Sequence, residues 1–538
     1  MINQAIIIPH NTWCREVNWK KYSPSELGFD RTNEFAMKRI TASNSGTWST
    51  KEYLPMGAVE DTNNTIMWQI EINGSWQWEI SDIADMIYLK LSGPNEQENH
   101  WYKELKPGDE FQSVKACITV GESFDDCLRN MTKYRRVICE ASFTNGKLPV
   151  IFNDCWSSVN LKPTTDKSVP VIDKAASVGA ECYVVDAGWY ADGEWWDTVG
   201  EWQPIGWRFP NGIKEVFDYI KAKGMIPGIW LEIEVMGIDC PILNQFDDEC
   251  FFMRHGKRVI DHGRYQLDFR NKKVREFATS VVDRVVVDYG VGYIKFDYNI
   301  DAGTGTEVSA DSFGDGLMKH GLAYISWIDE IRAKYPELII EHCSSGGMRM
   351  EYAMLSKHHL QSVTDQTDYR HLAVIASNAA TALLPEQAAI WSFPKSDGDE
   401  NNASYNMVNA MLTVIHLSGD ILKFSDKQFD YVQQGVECYK KLREDICKAI
   451  PFYPIGLNNY EKGWAAVAYK ADDTVYLAVW RMNCDTDTLF IPLTAGKKDI
   501  LYPSDSKCLV ADTYNGINIT MPDKYSAVIL KLIGCKNF

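Results

Sequence analysis

Several short apolar runs in this chain stop on residues that can hold or move a proton. In chain order their ends read Asn153-Asp154-Cys155-Trp156, Asp186-Ala187-Gly188-Trp189, Trp230-Leu231-Glu232, Asp297, Cys343-Ser344-Ser345-Gly346-Gly347 and Asp365-Gln366-Thr367-Asp368. Carboxylates and tryptophans dominate. Such a ring of acids and aromatic faces suits a sugar, whose C–H faces stack on indole while its hydroxyls need acceptors. Two carboxylates on different strands are what cleavage of a glycosidic bond requires, one as nucleophile or base and the other as proton donor to the departing oxygen. Lys295 lies two positions before Asp297, and side chains two apart on a strand share a face. A cation there lowers the carboxylate pKa and can also hydrogen-bond a hydroxyl, so Asp297 is the better nucleophile candidate and Asp365 the better acid. A single Asp at a strand end is ordinarily a helix cap or turn former. Repetition at successive strand ends reverses that preference.

The elements that must position these groups fall into three zones. Residues 1–145 contain alternating runs such as Thr65-Ile-Met-Trp-Gln-Ile-Glu-Ile and Ile87-Tyr-Leu-Lys-Leu between Asn-Gly, Gly-Pro and Pro-Gly turns, the pattern of an all-β sandwich. Over 146–448, short apolar strands alternate with helical stretches, as in βα units. The strands are read at Pro149-Val-Ile-Phe, Cys182-Tyr-Val-Val, Ile226-Pro-Gly-Ile-Trp, Tyr293-Ile-Lys-Phe, Leu338-Ile-Ile-Glu, Leu360-Gln-Ser-Val, Ala389-Ile-Trp-Ser and Gly419-Asp-Ile-Leu. Eight strands suit a closed (β/α)8 TIM barrel, whose strand C-termini carry the chemistry. The helical stretch 425–448 closes this zone. Residues 449–538 return to alternation in Trp464-Ala-Ala-Val-Ala-Tyr, Val475-Tyr-Leu-Ala-Val-Trp and Ala527-Val-Ile-Leu-Lys-Leu, a C-terminal antiparallel β-sandwich. The fold class is therefore multidomain α/β with a central barrel between two β-sandwiches.

Length and composition agree: 538 residues exceed one hydrophobic core, and 45% apolar with 24% charged residues fits a globular protein. A formal charge of −18, without a basic patch, argues against nucleic-acid or anionic-membrane partners. The start Met-Ile-Asn-Gln-Ala-Ile-Ile-Ile-Pro-His lacks the features of a signal peptide, so a cytoplasmic location is expected. Fourteen scattered cysteines without Cys-x-x-Cys modules read as reduced thiols, and ten histidines form no ligand set, with His358-His359 an ordinary loop or helix-surface pair. No metal or organic cofactor is expected.

Tyr293-Ile-Lys-Phe-Asp-Tyr-Asn resembles the nucleophile segment of glycoside hydrolase family 36, the bacterial α-galactosidase family. The likeness continues in order through Asp186-Ala-Gly-Trp-Tyr, Gly200-Glu-Trp, Phe209-Pro-Asn-Gly, Gly224-Met-Ile-Pro-Gly-Ile-Trp-Leu-Glu, Gly263-Arg-Tyr-Gln-Leu-Asp, Cys343-Ser-Ser-Gly-Gly-Met-Arg and Thr364-Asp-Gln-Thr-Asp, nearly the whole barrel. Ser49-Thr-Lys-Glu-Tyr-Leu-Pro and Gly74-Ser-Trp-Gln-Trp-Glu are similar to the family's N-terminal sandwich, shortened here at its start. The resemblance implies Asp297 as nucleophile and Asp365 as acid/base, with Asp368 the rival. It implies sugar-binding roles for Asp186, Trp189, Trp230, Arg264, Lys295, Asn299, Cys343, Ser345 and Asp368, with Trp230 as the aromatic floor. It further implies double displacement with retention, release of terminal α-linked galactose, and assembly as a homo-oligomer in some members.

The chain departs from the family pattern at Ala187, where a second acid would help hold the 4- and 6-hydroxyls. A buried hydroxyl without its charged acceptor forfeits roughly 1.5–3 kcal/mol. Either Asp192 or Glu194 fills the gap, or the glycone is a relative of galactose such as β-L-arabinopyranose or N-acetylgalactosamine. Two smaller departures are Trp230-Leu-Glu-Ile-Glu in place of Trp-x-Glu-Pro-Glu, and Gln361 or Ser362 where a Trp is expected. Transfer to another sugar and an inactive sugar-binding protein are the remaining alternatives.

Overall fold

The computed structural model describes residues 4–29, 37–83, 86–143 and 146–536. At its centre is a closed barrel of eight parallel strands in sequence order, each followed by a helix: β1 (Ile151–Asn153), α1 (Thr165–Ser177), β2 (Cys182–Val185), α2 (Lys214–Ala222), β3 (Ile226–Leu231), α3 (Lys272–Asp283), β4 (Tyr293–Phe296), α4 (Phe313–Lys334), β5 (Ile339–His342), α5 (Tyr352–Leu355), β6 (Leu360–Ser362), α6 (Tyr369–Ala382), β7 (Ala388–Ser392), α7 (Glu400–Met411), β8 (Val414–Leu417) and α8 (Asp426–Ile446). Strands covered by helices outside and packed side chains inside have no wet face, which is why β2 is an unbroken buried run, Cys-Tyr-Val-Val. The helices begin where side chains satisfy their first amides: Thr164 caps α1, Ser312 caps α4, and Ser425 with Gln428 forms a reciprocal capping box on α8. Gly228 of β3 stands between Val184 and Tyr293 in register, and a Cβ there would lie 2.8 Å from the Val184 side chain. Its absence lets the Tyr293 ring fill the lower barrel and donate its hydroxyl to Glu341 at 2.5 Å.

Three sequence expectations are corrected. The eighth strand is Val414–Leu417, and residues 419–422, read as that strand, form a turn at Gly419 (φ +100°) and the start of the 3-10 helix Ile421–Lys423. His416 interrupts the apolar pattern of the true strand, yet it is buried and stacks on Trp391 with ring centroids 4.0 Å apart. His358 and His359 stand on the loop before β6, as one of the two readings has it, and are not a helix-surface pair. His358 is fully buried against the Met354 carbonyl, and the His359 Nδ1 accepts the Ile340 amide. The N-terminal zone is not all-β, since it closes with the amphipathic helix Phe124–Ile138, whose buried stripe includes Phe124, Leu128 and Met131.

Ahead of that helix, five antiparallel strands (Ala5–Thr12, Arg15–Tyr22, Met56–Glu60, Thr65–Glu71, Lys115–Gly121) and three more (Arg39–Asn44, Trp76–Ile83, Met86–Ser92) enclose a core around Trp68, Trp76 and Trp78. After α8, a five-stranded and a three-stranded antiparallel sheet share a core of Leu477, Val479, Ile519 and Leu530. The largest core is continuous from Ile7 and Trp19 through the barrel to Trp480 and Ile529. All fourteen cysteines are free thiols. Among the described residues no helix is long and apolar enough to cross a membrane.

Candidate active site

The C-terminal ends of β2 to β6 converge on Asp297. Its Oδ1 accepts backbone N–H groups of Tyr298 (2.8 Å) and Ser345 (3.3 Å), and its Oδ2 accepts the Trp230 indole (3.0 Å) and the Asn299 amide (3.0 Å). Four donors fix the carboxylate in one orientation. Burial alone would raise its pKa, but the charge of Lys295 and the neighbouring polar groups of Asn299, Cys343 and Trp230 outweigh it and hold Asp297 below the usual carboxylate range. Ser345 reaches this position because it takes a left-handed φ of 41°, and its hydroxyl orients Asn299 through Oδ1 at 2.7 Å. The next residue, Gly346 (φ +73°), presses on the acid/base segment: a Cβ would lie 2.6 Å from Thr364 Cα and 2.8 Å from the Asp365 nitrogen.

Asp365, on the loop after β6, is half-buried. Burial first, and then the charge of Asp297, push its pKa up to about 6, against the opposing pull of Lys295. One carboxyl is thus held ionised and its neighbour is ready to carry a proton, the division of labour that acid/base chemistry needs. Asp365 Oδ2 accepts one side-chain bond, from the Trp13 indole at 3.1 Å. Trp13 is 62% exposed and stands on the turn between Ala5–Thr12 and Arg15–Tyr22, pinned there by a bond from the Gln366 amide to the Cys14 carbonyl (3.0 Å). Sequence reasoning missed Trp13, because nothing in a turn 352 positions away marks it as a neighbour of Asp365.

Across the barrel, Asp186 accepts Lys295 Nζ (3.1 Å), the Asn153 amide (2.7 Å) and the Ala187 N–H (2.9 Å). Burial would neutralise Lys295, but Asp186 keeps it charged. Lys295 therefore bonds Asp186 directly and reaches Asp297 only through its field. Beneath Asp186, Asp154 is fully buried, and burial raises its pKa to about 8. Arg264 pairs with Glu232 at 2.9 Å and lies 3.6 Å under the Trp196 ring, wholly enclosed. Glu232 also accepts the Asn299 N–H at 2.7 Å, and burial, only partly offset by Arg264, moves its pKa to about 7.

Two of the expected sugar contacts are engaged by the protein itself. Trp189 is fully buried behind the site, where its indole donates to the Trp230 carbonyl at 3.1 Å. Asp368 caps α6 and forks with Arg370 at 2.9 and 2.6 Å, which keeps it ionised and tied to its own helix. Trp230 holds Asp297 through its indole N–H while Tyr190 and Trp195 pack on its ring. Neither candidate replaces the acid missing at Ala187: Asp192 accepts the Trp207 indole at 2.7 Å, and Glu194, 84% exposed, faces Lys162. The two positions where a Trp is expected, Gln361 and Ser362, are both buried, and Gln361 bonds His342 and the Gly346 carbonyl. Among the described residues, no cluster of three or more His, Cys, Asp or Glu side chains could hold a metal ion.

The family model for melibiase matches residues 111–449. The chain is 24% identical over 425 residues to the α-galactosidase Mel36A of Lactobacillus acidophilus, covering 76% of this chain and 57% of that protein. It is 26% identical over 409 residues to the bifunctional α-galactosidase/sucrose kinase AgaSK of Mediterraneibacter gnavus, covering 72% and 41%. The chain thus spans about half the length of the curated relatives it matches. The fold matches the galactosidase domain of AgaSK with a TM-score of 0.81 at 18% identity, covering 98% of this chain and 74% of that one. It matches a family 36 α-galactosidase, AgaA of Geobacillus stearothermophilus in complex with raffinose, with a TM-score of 0.80 at 16% identity, covering 98% and 75%. With the family model matched across the barrel and the strand-end acids in place, the chain belongs to the melibiase family.

Proposed function

We propose that this protein is a retaining glycoside hydrolase that releases terminal α-linked galactose from oligosaccharides or glycoconjugates. The observation that carries the reading is the pair of carboxyls at the C-terminal ends of the barrel strands, Asp297 clamped by four donors with its pKa held down and Asp365, with one side-chain donor, raised to about 6. Asp297 attacks the anomeric carbon as the bond to the leaving oxygen breaks, and Asp365 gives that oxygen its proton. The covalent glycosyl-enzyme is then cleaved by water, whose proton Asp365 accepts, restoring both groups. Retention requires the two carboxyls about 5–5.5 Å apart. Asp186, Lys295 and Asn299 would hold sugar hydroxyls. The substrate class is supported by relatives named α-galactosidases and by AgaA's capture with raffinose. In this reading Trp189 and Asp368 support the site and do not touch the sugar.

Ala187 favours a second reading, a clan relative with altered glycone. Neither Asp192 nor Glu194 replaces the missing carboxylate, since both are engaged elsewhere. Turnover of the p-nitrophenyl α-galactoside, α-N-acetylgalactosaminide and β-L-arabinopyranoside separates the readings. Highest kcat/KM on the α-galactoside supports the first, a tenfold preference for either alternative supports the second, and no release from any of them contradicts both.

A further inference from the structure

Tyr298 links Asp297 to a buried charge pair that takes no part in the proposed steps. Its backbone N–H is one of the four donors to the nucleophile carboxylate. The orientation of that N–H follows from how the residue is held. The Tyr298 hydroxyl contacts Gln266 and bonds Thr47 at 2.8 Å, and its carbonyl accepts the Ser344 hydroxyl (2.9 Å) and the Trp48 indole (3.3 Å). Against the ring lies Arg349, its guanidinium carbon 4.1 Å from the centroid. Glu234 grips that guanidinium with both oxygens, at 2.6 and 3.2 Å, and the two side chains are no more than 4% exposed. His320 Nε2 stands 3.5 Å behind Glu234.

The three residues follow β3 (Glu234), β4 (Tyr298) and β5 (Arg349), so the pair ties together three neighbouring strand ends beneath the nucleophile. A planar guanidinium can lie flat on a ring while its edge forks onto a carboxylate; an ammonium supplies the charge without the plane. Buried ion pairs contribute little net stability relative to apolar packing. Their place under a catalytic peptide calls for another reason.

We propose that Arg349, locked by Glu234, is a positioning residue for Asp297, acting through the Tyr298 ring to aim the peptide N–H that the carboxylate accepts. The inference rests on the nucleophile role proposed above. The test compares wild type, Arg349→Lys and Glu234→Gln on p-nitrophenyl α-galactoside across pH, with circular dichroism and melting to establish folding. Arg349→Lys is expected to lower kcat about tenfold or more with KM within about twofold, because misplacement costs rate and not binding. The acid limb of kcat/KM should also move to higher pH, since a weakened N–H bond no longer favours the ionised carboxylate. The other titratable groups in reach of Asp297, namely Lys295, Cys343, Glu232, Glu341, Tyr190, Asp186 and Asp365, are not substituted in these variants. A folded Arg349→Lys with wild-type kcat and acid limb overturns the proposal. If that variant does not fold, Glu234→Gln carries the same comparison, and failure of both to fold assigns the pair to stability and likewise overturns it. A wild type that cleaves no α-glycoside defeats the proposed function and this inference with it, whereas an active wild type matched by its variants defeats this inference alone.

Discussion

Asp297 and Asp365 are the same kind of side chain at the ends of β4 and β6, two strands apart in the barrel, and their surroundings drive their pKa values apart. Four donors and the field of Lys295 favour the charge on Asp297, whereas Asp365 has a single side-chain donor and the negative charge of Asp297 to contend with. In the proposed mechanism Asp365 must be protonated to start a turnover, so kcat/KM should fall as pH rises through about 6. Glu232 and Glu341, both raised to about 7 by burial, lie close enough to confuse that assignment. Asp365→Asn settles it: on an aryl galactoside the limb near 6 should vanish, the rate should fall roughly 10²–10⁴-fold, and azide, which needs no base, should restore turnover. A limb that survives the substitution would move the assignment to one of the glutamates. Trp13→Phe removes the indole donor that stabilises ionised Asp365, so the alkaline limb should move up, by about half a unit or more; an unmoved limb would show that this bond does not tune the acid. Asp297, Asp365 and Lys295 were legible as strand-end groups. Trp13 was not, because its role depends on where a distant hairpin docks.

Elements were legible where local pattern and global role agree. Cys182–Val185 and Tyr293–Phe296 have the bounds their apolar runs indicate, because parallel strands buried on both faces cannot read otherwise. The eighth strand was obscured by His416, a polar residue made tolerable by stacking on Trp391. The cap made by Asp368 was hidden for the opposite reason, since a carboxylate one residue before a helix serves its amides whether or not a sugar is near. The glycine-rich end of β5 is an element built for close approach. Gly346→Ala would force a left-handed φ on a residue with a Cβ and drive that Cβ into the backbone of Thr364 and Asp365. The variant should lose about 1–3 kcal/mol of stability or displace Asp365, measured as a lower melting temperature together with a fall in kcat. Wild-type values for both would show that the segment has slack.

At the scale of the whole molecule, the N-terminal sheets are part of the site and not an appendage. Thr47 and Trp48 hold Tyr298, Thr50 bonds the Gly347 carbonyl at 2.7 Å, and Trp13 reaches Asp365. One core runs from these strands through the barrel into the C-terminal sheet. Calorimetry is therefore expected to show one main unfolding transition, and well-separated transitions would contradict a shared core. The order of antiparallel sheets, barrel and antiparallel sheets was legible from the change of period along the chain, but their interdependence was not, since docking contacts leave no local signature. The most direct test of the central claim is the anomer released first from p-nitrophenyl α-galactoside, followed by proton NMR before mutarotation. Double displacement through Asp297 requires α-galactose to appear first; β-galactose first, or no galactose at all, would contradict it.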